Sequence, residues 1–200
     1  TSRMSGFVQS LIKDKKFKNR NKIVKRVKKY EGITDRMEIE VAEYLSKLST
    51  SNLSDESSLR LRGMISIAND LERIADLFFQ ISLSIERKNE SDVWFSEKQI
   101  GNLMEMFQLV DKSLEIMNSN LAADHKKVTL EEAFNVEKHI NKKRDQLRKK
   151  HLKSIENNSY HVLNGIVYAD MYNLLERIGD HVINVTEGIT GELARDEEDR

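Results

Sequence analysis

One phrase occurs twice in this chain. Asn69-Asp70-Leu71-Glu72-Arg73-Ile74-Ala75-Asp76 lines up with Asn173-Leu174-Leu175-Glu176-Arg177-Ile178-Gly179-Asp180. The segments before the two copies also match: Tyr30-Glu31-Gly32-Ile33-Thr34-Asp35 stands where the second half has Val136-Glu137-Lys138-His139-Ile140-Asn141. A phrase repeated at corresponding places means that one structural unit was duplicated, which rules out most architectures at once. Each unit reads as three helices joined by short connections, so sequence neighbours run antiparallel. The expected fold is all-α: two tandem three-helix bundles, six helices in all. The first repeat spans residues 1–90, the second 91–195, and an acidic tail covers 196–200.

The chain has no Pro and only 8 Gly, with 33% charged residues, a composition that favours long helices over strands. The first helix is expected over residues 2–13 and the second over 21–49, with Ile23, Val27, Tyr30, Met37, Val41, Tyr44 and Leu48 as its apolar stripe. Thr50, Ser51 and Asn52 break the chain. Ser54 then caps the third helix, whose stripe is Leu71, Ile74, Phe78, Ile81 and Ile85. Residues 89–92 form the junction between the halves. Ser96 with Gln99 makes a capping box for the fourth helix, striped by Leu103, Phe107, Val110, Leu114, Met117 and Leu121. Residues 124–127 turn the chain. Thr129 with Glu132 makes a second capping box, opening a fifth helix that runs to Glu156. Residues 157–159 turn again, and the sixth helix runs to about Leu193.

Composition also excludes chemistry. There is no Cys, hence no disulfide, thiolate metal site or Cys nucleophile. The five His (125, 139, 151, 161 and 181) form no His-x-x-x-His or Glu-x-x-His pattern. No glycine-rich phosphate loop and no Ser/His/Asp set is evident. No apolar run approaches the length of a membrane span.

What remains is acidic. Glu72 with Asp76, and Glu176 with Asp180, lie four apart, hence one turn apart on one helix face. With 33 acids in the chain, roughly five such pairs arise by chance, so spacing alone says little. The nesting of both pairs in one duplicated phrase says more. At about 100° per residue the carboxylates fall away from the Leu71 and Leu175 core stripes, toward the outer surface. Glu31 and Asp35 follow stripe positions of the second helix, so two carboxylate pairs meet in one groove if the helices pack side by side. An all-oxygen donor set suits hard cations. The alternative is a solvated helix face with Arg73 and Arg177 as counter-ions.

The duplicated phrase, continued after the second copy by His181 and Asn184, resembles the signature of the PhoU family of phosphate-uptake regulators. The resemblance spans nearly the whole chain and implies the six-helix plan. It also implies surface metal clusters of iron or zinc, or another divalent cation, held through Glu-x-x-x-Asp motifs. By position the ligands are Glu31, Asp35, Glu72 and Asp76 in the first half, and Glu137, Glu176 and Asp180 in the second. Asn141 replaces the expected Asp and Leu77 stands where the second copy has His181, so the second site is expected to be the weaker.

The family includes free-standing cytoplasmic regulators and soluble C-terminal domains of bacterial sodium/phosphate cotransporters. The start at Thr1, the short first helix and the acidic tail resemble the second kind. A basic run adds to this: Lys13, Lys15, Lys16, Lys18, Arg20, Lys22, Lys25, Arg26, Lys28 and Lys29, opposed only by Asp14. Such a run suits an anionic membrane surface just inside the bilayer. A nucleic-acid partner is not expected, because aromatic interleaving is poor and Glu38, Glu40 and Glu43 follow. The expectation is thus a non-enzymatic regulatory domain at the cytoplasmic face of the bacterial inner membrane. Its partner is the membrane portion of the same transporter or a phosphate transporter, with a homodimer also considered. The alternatives are a free-standing regulator, a metal-dependent phosphohydrolase or a ligand-free helical scaffold. Phe79 and Leu83 are expected to pack between the bundles.

Overall fold

In a computed structural model, residues 1–13, 20–49, 54–91, 93–157 and 161–191 are described. The basic residues Lys15, Lys16 and Lys18, the break at 50–52, Asp92, Ser159 and the acidic tail lie outside them.

Six α-helices follow in order: α1 Ser2–Lys13, α2 Arg20–Leu48, α3 Asp55–Glu90, α4 Glu97–Ala122, α5 Glu131–Glu156 and α6 Val162–Thr190. A single 3₁₀ turn, His125–Lys127, joins α4 to α5. The expected all-helical fold of two three-helix bundles is what forms.

Local chemistry accounts for most helix ends. Ser54 accepts from the Ser57 backbone N–H and caps α3. Ser96 and Gln99 make both bonds of the capping box at α4. The box expected at Thr129 and Glu132 does not form: Leu130 is the N-cap of α5 and no side chain caps it. The preceding 3₁₀ turn is the reason. The Val128 N–H bonds the His125 carbonyl, so the chain leaves that turn only one residue before Leu130. α6 runs to Thr190, where Gly191 adopts φ 77° and closes the helix with its N–H on the Glu187 carbonyl; the expected end at Leu193 lies outside the described residues.

The core is one contiguous cluster shared by both halves. Ile74, Phe78, Ile81 and Ile85 of α3 meet Leu175, Ile178, Val182 and Val185 of α6, with Leu103, Phe107, Val110, Leu114 and Met117 of α4 behind them. Phe79 is partly buried against this cluster. α3 and α6 form the most extensive helix pair. They run antiparallel, with Gly63 against Gly188 near one end and Asp70 against His181 further along. Asp70, almost fully buried, accepts from Asn184 at 3.3 Å and contacts His181 Nδ1 at 2.8 Å, so one carboxylate ties the halves together.

Two stripes depart from expectation. Met37, Tyr44 and Leu48 of α2 are exposed, and Leu121 of α4 is partly so; in α2 the buried residues are Val24, Val27 and Leu45. The cause is coverage. α4 has 26 residues and packs along α5 and α6, whereas α1 has 12 and reaches only part of α2 and α3. Tyr168, buried beneath α4 and bonded by Asn102, has Met64 as its counterpart in the first half, and Met64 is exposed beside α2.

Candidate metal-binding groove

The antiparallel packing of α2 on α3 brings the first-half acids together. Glu31 of α2 faces Asp76 of α3, with Asp35 one turn along from Glu31 on the same helix, and Glu38 further on faces Glu72. Glu31, Glu72 and Asp76 are half-buried and Asp35 is exposed. The angular reading from sequence is therefore right about the core and wrong about openness: the acids leave the core stripe, but the neighbouring helix covers them, and the Glu72 side chain is only 19% exposed.

This arrangement is electrostatically strained. The Glu31 carboxyl is pushed up by burial first, then by the charges of Asp76 and Asp35. Glu72 is pushed up by burial and by Asp76, with Glu38 adding to it. Arg73 pulls the other way, from a loose 3.8 Å contact. A carboxyl whose pKa is raised on folding stabilises the fold below the ordinary value of 4.5 and loses that contribution as pH rises through the raised value. At neutral pH the groove therefore works against the fold. Glu72→Gln should raise the melting temperature by about 2 °C at pH 7.5, with the gain gone by about pH 4.5. A melting temperature lowered at pH 7.5 would refute mutual repulsion in the groove.

The second groove, between α5 and α6, is built differently. Glu137 and Asn141 correspond to Glu31 and Asp35, an offset of 106, and the same offset places Arg144 at the position of Glu38. Arg144 Nη1 lies 3.0 Å from Glu176 Oε1, and its Nε lies 2.9 Å from Asp145. Asn141 donates to Glu137. Burial and Asp180 still push the Glu176 carboxyl up, but Arg144 opposes them. The second groove thus carries its own cation where the first carries a fifth acid. Sequence reading noted Asn141 but missed Glu38 and Arg144; extending the repeat alignment seven residues past Glu31 and Glu137 exposes both. His181 is spent on Asp70 at the interface between the halves, not on the acids.

The phrase itself varies between Ala75 and Gly179 for a packing reason. A Cβ on Gly179 would lie 2.9 Å from Ile140 Cδ1. The counterpart of Ile140 in the first half is Thr34, a smaller residue, and there alanine stands.

Among the described residues, no three His, Asp or Glu side chains are gathered tightly enough to hold an ion as they lie. By donor chemistry the first groove fits a cation: its acids raise one another's pKa, and Arg73 and Lys28 oppose this only in part. The second fits poorly, because Arg144 already neutralises Glu176.

A profile of the PhoU domain matches residues 1–85 and 103–189. No curated protein matches the sequence closely enough to count as a relative. Among solved structures, PhoU from Pseudomonas aeruginosa superposes with a TM-score of 0.73 at 17% identity, over 94% of this chain and 90% of that one. The phosphate transport system regulatory protein PhoU from Streptococcus pneumoniae gives 0.69 at 18% identity, over 97% and 93%. At these identities the likeness is one of fold.

Proposed function

The chain belongs to the PhoU family, and on that premise we propose that it is a non-catalytic regulator of phosphate transport, working as the cytoplasmic domain of a sodium-dependent phosphate cotransporter. The observation that carries the reading is the α2/α3 groove, where Glu31, Asp35, Glu72 and Asp76 gather negative charge that Lys28 and Arg73 offset only in part. Those four residues would hold iron, zinc or another divalent cation, with Glu38 beside them. The ion would supply charge neutralisation, relieving a repulsion that otherwise opposes folding. Loading would then alter the charge of the surface that meets the membrane portion of the transporter, which makes metal a regulator of docking.

The basic side of α2 supports a membrane-facing orientation. Lys22, Lys25, Arg26 and Lys29 line one shallow concavity with Asn21, a surface suited to anionic lipid. Among the described residues no helix is long and apolar enough to cross a membrane, so in this reading any span lies in another part of the transporter.

The test is uptake of radiolabelled phosphate by cells expressing the cotransporter with and without residues 1–200, and with Glu72→Ala plus Asp76→Ala. Uptake is expected to lose its dependence on internal phosphate in both altered forms. Identical uptake in all three would refute the regulatory reading. Sustained hydrolysis of a phosphate ester by the purified chain with added metal would favour a phosphohydrolase instead.

A further inference from the structure

The two halves join at a cavity far from the acids. It is about 350 Å³ in volume and lined by Leu11, Ile12, Ile85, Lys88, Asn89, Trp94, Phe95 and Ile100. Lys88 lies near the C-terminal end of α3, about 18 Å along that helix from Asp76. α1 supplies one wall, the junction between the repeats another, and the first turn of α4 a third.

Lys88 is 4% exposed. Its Nζ donates to the Val93 carbonyl at 2.8 Å and sits 5.0 Å from the Trp94 ring and 4.7 Å from the Phe95 ring. Among the described residues no carboxylate pairs with it, and the charge that acts on it is that of Arg20, a second cation. Burial and Arg20 together lower its pKa to about 8, so the amine is still mostly protonated at neutral pH. Buried cations normally face an anion, because ring faces and one carbonyl satisfy an ammonium only in part.

We propose that this cavity binds a small amphipathic monoanion, an alkyl carboxylate whose charge meets Lys88 and whose aliphatic body lies against Leu11, Ile12, Ile85 and Ile100. The lining selects this class. Most of it is apolar, which suits a hydrocarbon body better than a sugar or a bare inorganic ion. A single lysine with one amide, Asn89, matches one negative charge better than two. The volume lies at the small end of ligand pockets, so the body is short. Because α1, α3 and α4 all contribute, an occupant bridges the two repeats.

Trp94 lines the cavity and is the one tryptophan of the chain, so fluorescence excited selectively in tryptophan, beyond the absorption of the five tyrosines, reads this place. Residues 1–200 are titrated with octanoate below its micelle concentration, in parallel with octan-1-ol, acetate and inorganic phosphate. Octanoate is expected to change Trp94 emission saturably. The alcohol, acetate and phosphate should bind at least about tenfold more weakly, as should octanoate to Lys88→Met, which keeps an unbranched side chain one atom shorter and drops the charge. The proposal is overturned if octanoate gives no saturable change, if octan-1-ol binds as tightly, or if Lys88→Met binds octanoate unchanged. Should Lys88→Met fail to fold, Ile100→Phe fills the cavity and keeps the cation; retained octanoate binding in that variant also overturns it.

Discussion

Gly63→Ala is expected to lower the melting temperature by about 4–8 °C. A Cβ at this position would lie 2.6 Å from the Gly188 carbonyl oxygen. That oxygen is backbone, inside a helix, and cannot turn aside. α3 and α6 must instead move apart, and theirs is the interface through which the two halves share one core. Overpacking of this kind costs about 1–3 kcal/mol, at the upper end where backbone is the obstacle. The gain in helix propensity from Gly to Ala, at most about 1 kcal/mol, offsets part of it. Gly188→Ala should be milder, because its new methyl meets the Ile67 side chain at 2.8 Å and backbone, the Gly63 carbonyl oxygen, only at 3.3 Å. Gly32 and Gly101 supply the control: both are helical and have nothing within 4 Å of an added Cβ. Alanine there should raise the melting temperature by about 1–3 °C. Calorimetry of the four variants decides the matter, and a Gly63→Ala protein as stable as the parent would show that the helices do not meet as described.

The second large effect is an exchange of charge between the two grooves. Glu72→Ala with Asp76→Ala should weaken zinc or manganese binding by at least about 100-fold, since loss even of outer-shell partners costs 10–100-fold. Glu38→Arg should do the same without removing any proposed ligand, by placing in the first groove the cation that Arg144 supplies in the second. The reverse change, Asn141→Asp with Arg144→Glu, should open the second groove and raise the stoichiometry found by calorimetric titration. Unaltered binding in Glu38→Arg, together with no new site in the double variant, would remove the basis for assigning metal to these grooves.

How much of this was legible beforehand depended on the range of the physics involved. The Ser96 and Gln99 box and the Ser54 cap are local, and both form as the residues dictate. Thr129 carries the same local pattern and fails, because the 3₁₀ turn ending two residues upstream had already set the chain's entry. Periodicity showed which side of α2 is apolar, but not that α1 stops short of covering Met37 and Tyr44. For the site, the duplication located Glu72, Asp76, Glu176 and Asp180, and side-by-side helices brought Glu31 and Asp35 to the first pair. Their half-burial depends on tertiary packing, which angular reasoning on one helix does not contain. The Lys88 cavity has no sequence signature at all, since its walls come from three helices and the segment joining the repeats.

Arg144, seated on Glu176, also sets the shape of any metal response. A duplicated protein with two equal grooves could couple them through the shared core and answer metal steeply. A chain that took a single ion in the first groove alone would follow a simple hyperbola, with a Hill coefficient of one. Such a chain grades its output over roughly two decades of free ion concentration rather than switching. Steepness, where a cell needs it, would come from the number of chains assembled around a transporter and not from within the chain.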